Sequence, residues 1–259
     1  MKPSDKWHLD LESWGIRKEI LDQAPESPWI HPPAVFALPP VIKETISHQR
    51  AVEALDLGGS ILDIGCGGGI AAFAAVPPAA LVIGVDHQSE MLEMFSDNAS
   101  ARGVKSETIA GFWPAVADVT PVADVVTCHH VVYNVGEIVP FLQALDSHAR
   151  KRVVLEMPTT HPRSNQEVYW KHFWNEALPS EPTHLSLVAV LKGIGIDAHY
   201  EVWNGELGQD IDLVQATHFM RIRLCLPQER EGELLELMKS QPVKATREIA
   251  TIWWDKAKH

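Results

Sequence analysis

A chain of 259 residues can bury a large core, and its 46% apolar and 22% charged residues are ordinary for a folded globular protein. With 22 basic against 34 acidic residues, a net charge of −12, a broad electrostatic footprint for nucleic acid is not expected. No apolar stretch reaches membrane-span length, Met1 to Asp10 lacks a signal-peptide apolar run, and Cys66, Cys128 and Cys225 are odd in number and far apart, so a cytoplasmic protein with reduced thiols and no membrane contact is expected.

Residues 4–24 read as a small helical entry with Trp7, Leu9, Leu11, Trp14, Ile16 and Ile20 as its apolar points. Pro25 to Pro33 is too proline-rich for helix or central strand. Trp29 and His31 are its candidates for touching substrate, because a rigid aromatic on a loop is either anchored or in contact with a ligand. Helix is expected over Ala34 to Leu38 and again from Val41 to Leu55, with Gly58-Gly59 ending it. Ile61 to Ile64 then reads as a short strand running into a glycine turn, Asp63-x-Gly65-x-Gly67-x-Gly69. Glycine suits such a turn because it adopts positive φ and leaves room where backbone meets ligand. A small-residue helix from Ile70 to Val76 follows and stops at Pro77-Pro78; its free N–H groups and positive dipole end face the loop. Leu81 to Asp86 is a second buried strand whose closing acid lies about 20 residues after the loop, the spacing that sets a carboxylate on ribose hydroxyls. Ile70 departs from the dinucleotide fingerprint, and Asp63 would repel a free pyrophosphate but suit a ligand carrying positive charge.

The array of Asp63, Gly65, Gly67, Gly69 and Asp86 resembles motif I and the following acid of the class I S-adenosylmethionine-dependent methyltransferases. The resemblance covers residues 60–160. It implies S-adenosylmethionine as cofactor and S-adenosylhomocysteine as product, the glycine loop lying beside the amino-acid part and Asp86 on the ribose. Cys66, His87 and His129 join the expected cofactor contacts, with Phe112 or Trp113 along the adenine. The implied fold is an α/β, Rossmann-like, doubly wound, seven-stranded, mostly parallel sheet of order 3-2-1-4-5-7-6, with an N-terminal helical extension and a C-terminal helical insertion.

Beyond Asp86, Ser89 is a candidate N-cap for a helix over Glu90 to Ala101. Ser106 to Ala110 and Val122 to Cys128 follow as strands, the latter ending in His129-His130-Val131-Val132-Tyr133-Asn134. Ligands bind at the carboxyl ends of strands where strand order reverses, so this turn holds the best-placed chemistry. His129 and His130 lead as general bases, with His31 and His161 behind; Tyr133, Asn134 and His161 are expected to face substrate. The turn lacks the Asp/Asn-Pro-Pro-aromatic sequence of methyltransferases acting on base amino groups or glutamine amide. A metal site is not expected, because adjacent histidines on an extended turn point in opposing directions.

Gly136 to Ala149 reads as helix, and Val153 to Pro158 as a strand with Glu156 near its carboxyl end. Glu167 to Ala177 and Thr183 to Gly193 are helical, Ile196 to Trp203 alternates like a strand, and helices over Asp212 to Leu224 and Glu229 to Lys239 flank the Pro227 turn. Arg247 to Trp254 is expected as the last, antiparallel strand. One domain is expected over 1–259: a helical cap (1–57), a cofactor-binding core (58–160), and a substrate-side half (161–259) with a helical insertion at about 205–240. The expected activity is methyl transfer to a small molecule. The alternatives are a methyltransferase on protein or RNA, a non-catalytic S-adenosylmethionine or nucleotide binder, and an NAD-dependent oxidoreductase, which Asp63 and Ile70 oppose. Nothing in the sequence sets the oligomeric state.

Overall fold

The computed structural model describes residues 1–29, 37–206, 212–241 and 246–256. Seven strands, β1 (Ser60–Ile64), β2 (Leu81–Asp86), β3 (Lys105–Ala110), β4 (Ala123–His129), β5 (Ala149–Pro158), β6 (His199–Glu206) and β7 (Thr246–Asp255), form one sheet in the order 3-2-1-4-5-7-6. The first five are parallel, and β7 runs antiparallel between β5 and β6. This is the order the resemblance implies.

The central strands are apolar runs because both sheet faces are covered. Leu62, Ile64, Val126, Cys128, Val153, Leu155, Ala250 and Ile252 point into one layer, with α1 (Pro3–Glu12), α6 (Ile138–His148) and α8 (His184–Gly193) packed on them through Trp7, Phe141, Leu142, Leu187 and Leu191. Ile61, Val125 and Val154 point the other way, beneath α3 (Ile46–Glu53), α4 (Ile70–Phe73) and α5 (Ser89–Ala101). A third, smaller core joins Ile20 of α2 (Lys18–Leu21), Trp170 and Phe173 of α7 (Glu167–Trp174), and Leu224, Leu226 and Leu234 around α9 (Leu213–Arg223) and α10 (Glu231–Ser240). The last two helices lie between β6 and β7, as the insertion expected over 205–240 requires.

Several boundaries move. α3 starts at Ile46 rather than Val41, because Thr45 caps it: the Thr45 hydroxyl accepts from His48 N–H at 3.3 Å and His48 Nδ1 accepts from Thr45 N–H at 3.2 Å. Ser89 is the first helical residue of α5 and Gln88 its N-cap, so the expected Ser89 cap does not form. β5 begins four residues early, its start paired to β4 and Arg152 bonded to Asp255 of β7 at 2.7 Å. α4 is one short helix that gives way to turns before Pro77. The expected Ala34–Leu38 helix falls mostly outside the described residues. Among the described residues no helix is long and apolar enough to cross a membrane.

Candidate functional site

The glycine turn is held from below by one carbonyl: Gly65 N–H and Cys66 N–H both donate to Val85 O, at 2.8 and 3.1 Å. Gly65 has φ +69°, and a Cβ there would come within 2.4 Å of Val131 Cγ2, so no other residue fits between β1 and the β4 turn. Gly69 caps α4 at φ +92°. Asp86 reaches over this turn: its Oδ2 accepts from Gly67 N–H at 3.1 Å and its Oδ1 from Gln88 N–H at 3.0 Å. Two bonds fix the carboxylate while leaving lone pairs for a ligand. Cys66 is buried behind Gly84, and burial pushes its thiol well above the ordinary range, which makes it packing rather than a nucleophile.

Asp63 is 2% exposed. Its Oδ1 accepts from the Thr127 hydroxyl at 2.9 Å, while its Oδ2 is buried without a hydrogen-bond partner among the described residues. Burial pushes its carboxyl up to about 7, against the opposing pull of the Thr127 hydroxyl and of the Ala72 N–H in the first turn of α4. An acid this isolated needs a donor, preferably a charged one.

Beyond Asp86, the His87 and Phe112 rings stack with centroids 4.6 Å apart, and Phe112 is 68% exposed. Trp113 turns the opposite way: its Nε1 donates to Phe141 O at 3.3 Å and its ring meets His148 edge-on. Of the two aromatics predicted along the adenine, Phe112 alone offers a free face.

The carboxyl ends of the strands carry a polar row on the face under α3 and α4. Asp63 is level with Thr127; two residues further, His129 is level with Glu156, and Glu156 with Thr251. α3 completes the row from above. The Thr45 hydroxyl donates to Glu156 Oε2 at 3.4 Å, Ser47 and Thr251 share a 2.6 Å bond, and His48 stacks on His129 at 5.8 Å. The two predicted bases part company here. His129 is partly buried, its enclosed Nε2 lacks a partner among the described residues, and loss of water pulls its pKa down to about 3, so it is neutral at pH 7. His130 takes a positive φ of 61°, which swings its half-exposed ring outward, where Nε2 meets Glu156 Oε1 at 2.9 Å. Burial alone would raise the Glu156 carboxyl, yet it lies below the usual range. With His129 neutral, the hold on it at neutral pH comes from His130 and from the Ser47 hydroxyl.

The other predicted residues are spread out. The Tyr133 hydroxyl donates to Pro158 O at 3.0 Å, so this buried ring ties β4's turn to β5. His161 stacks on Trp14 at 3.9 Å and accepts from Arg163 N–H, which anchors the loop after β5. Asn134 is exposed beside them, and Trp29 lies 5.7 Å from the Arg163 guanidinium. His31 lies outside the described residues. Thr45, Ser47, His48 and Thr251 were not read from the sequence. Glu156 carried a usable signal: a lone acid in an otherwise apolar central strand.

Sheet order, acid–glycine turn and facing acid together define the Rossmann-like class I methyltransferase fold. Residues 61–151 match the family described as a methyltransferase domain. Ribosomal protein L11 methyltransferase of Vibrio campbellii is 35% identical over 96 residues, covering 36% of this chain and 32% of that protein; that of Vibrio cholerae is 38% identical over 93 residues. The chain thus spans about a third of the length of the curated relatives it matches. Among solved structures, the YcgJ protein of Bacillus subtilis superposes with a TM-score of 0.56 at 18% identity, over 82% of this chain and 99% of that one. A methyltransferase structure from Bacillus halodurans follows at 0.53 and 16%, over 82% and 97%. At these identities the structures attest the fold.

Proposed function

We propose that the protein is an S-adenosylmethionine-dependent methyltransferase whose acceptor is a small molecule. The observation that carries the cofactor is the buried Asp63 Oδ2 without a donor among the described residues, set beside the glycine turn. An acid in that position suits a cationic amino group and would oppose a pyrophosphate. Asp63 would accept from the cofactor's ammonium, Asp86 from its ribose hydroxyls, and Phe112 would lie on its adenine. When bound, S-adenosylmethionine supplies a methyl group on a sulfonium, an electrophile that asks the protein mainly for alignment. His130 is the group able to take a proton from the acceptor, its ring oriented by the Glu156 carboxylate as a base is oriented in a triad. His129, neutral, lies level with Glu156 on the neighbouring strand.

The small-molecule reading is supported by the third core, an added group of helices that gathers α2, α7, α9 and α10 beside the loop after β5. A protein acceptor is the second reading, favoured by the similarity to ribosomal protein L11 methyltransferases. Calorimetric titration of the protein and of Asp86→Ala with S-adenosylhomocysteine, S-adenosylmethionine and NADH tests the cofactor. Binding of the first two, lost in the variant, is expected; binding of NADH alone would move the protein to the oxidoreductases. Transfer of labelled methyl groups to a metabolite extract rather than to a ribosomal fraction then separates the two acceptor classes.

A further inference from the structure

Two arginines beyond the carboxyl end of β5 are half-buried with no carboxylate beside them among the described residues. Arg163, in the loop after β5, donates from Nη1 to Trp14 O at 2.6 Å, and its guanidinium lies 5.0 Å from the Trp170 ring and 5.7 Å from the Trp29 ring. Arg247, near the start of β7, has a buried Nε with no hydrogen-bond partner among the described residues. Within that same set neither guanidinium is in an ion pair. That contrasts with the rest of this acidic chain, where Arg50, Arg152 and Arg221 are each clasped by two carboxylates. A buried charge is ordinarily paired. Two such arginines, neither ion-paired among the described residues, are suited to a counter-charge brought by a ligand.

Both arginines address one region. Besides burial, the charges of Arg163 and Arg247 together hold the His161 pKa down, and Arg247 also acts on the Tyr133 hydroxyl. Arg223, at the end of α9, adds like charge next to Arg163. Burial lowers the pKa of both guanidiniums, as expected where no carboxylate offsets the loss of water. Arg247 lies four residues along β7 from Thr251, which is level with Glu156. At about 3.4 Å per residue it sits roughly 13 Å beyond the His130–Glu156 pair, less the reach of its own side chain.

We infer that the methyl acceptor carries an acid group, a carboxylate or a phosphate, which Arg163 and Arg247 hold beyond the carboxyl end of β5 while the nucleophile lies several bonds away beside His130. The planar guanidinium fork matches either oxyanion. The acceptor's role in this statement rests on the methyltransferase reading; the anion site itself does not.

The test uses the protein saturated with S-adenosylhomocysteine, titrated with 3-phenylpropionate, phenyl phosphate and neutral 3-phenylpropionamide. Binding is followed by tryptophan fluorescence, since Trp14, Trp29 and Trp170 all lie against Arg163. One or both acids are expected to bind at least ~10-fold tighter than the amide, and the tighter of the two names the oxyanion. Arg247→Gln is expected to weaken that acid by about 30-fold or more, with Arg247→Lys retaining part of it and S-adenosylhomocysteine affinity unchanged in both. Ligand-free Arg247→Gln should melt no lower than the parent, because a buried charge without a carboxylate is removed. The inference is overturned if the acids bind no better than the amide, if neither acid binds at millimolar concentration, or if Arg247→Gln binds as the parent does. A parent protein that ignores S-adenosylhomocysteine would instead sink the methyltransferase reading, and the same titrations without it would still decide the anion site.

Discussion

Asp63 departs furthest from the ordinary state of its side chain. Its carboxyl titrates near 7 in the folded protein against an ordinary value of 3.8, so between those values the native state keeps a proton that the unfolded chain has lost. Native stability therefore declines as pH rises through that window and is lowest above about pH 7. Asp63→Asn keeps the Thr127 hydrogen bond and removes the titration. At pH 8 the variant should be more stable than the ligand-free parent by roughly 2–4 kcal/mol, since each pH step between the two titration points is worth about 1.4 kcal/mol, and it should bind S-adenosylhomocysteine far more weakly. Urea unfolding at pH 5 and pH 8 checks this; an identical pH slope in both proteins would remove Asp63 as the source. The glycine and acid landmarks were legible because each answers a local demand, a positive φ or a strand's carboxyl end. The choice between Phe112 and Trp113, or between His129 and His130, was not, since neighbours in sequence are parted by backbone torsion and by what lies across the sheet.

At the scale of elements, α3 shows how a cap can serve a site. Thr45, Ser47 and His48 begin the helix and reach the polar row at Glu156, Thr251 and His129. Thr45→Ala removes the cap and one donor to Glu156, and should cost about 1 kcal/mol of stability, with Thr45→Ser recovering most of it. Denaturant midpoints of the three proteins measure this, and a neutral alanine variant would show that the helix start is set elsewhere. β1, β2 and β5 were readable from apolar runs closed by glycine, acid or proline, and β6 from its alternation. The start of α3 was not, because histidine at the third helical position is an unusual partner for a capping threonine, and the preceding residues Val41 to Glu44 have helix-compatible chemistry.

At the scale of the whole molecule, the chain divides its apolar residues into two layers on the sheet and a third core beside it. Arg221 is the hinge pin of the third: buried, it bonds Glu26 at 2.6 Å, Glu231 at 2.9 Å and Leu226 O at 2.9 Å. Arg221→Met leaves two carboxylates without their cation and should cost that core about 3–5 kcal/mol. Hydrogen exchange is expected to speed up in residues 16–26 and in α9 and α10 while β1 to β5 keep their protection; a uniform change along the chain would show that the third core does not open on its own.

The sheet order also carries a consequence for synthesis. β6 touches the sheet only through β7, which is made some forty residues later and slides in between β5 and β6. At about 5–20 residues per second, β6 waits roughly 2–8 seconds on the ribosome with no strand to pair with. In that interval β5 is the open border of a five-stranded sheet, and the nascent chain's most vulnerable surface is the seam that β7 later fills.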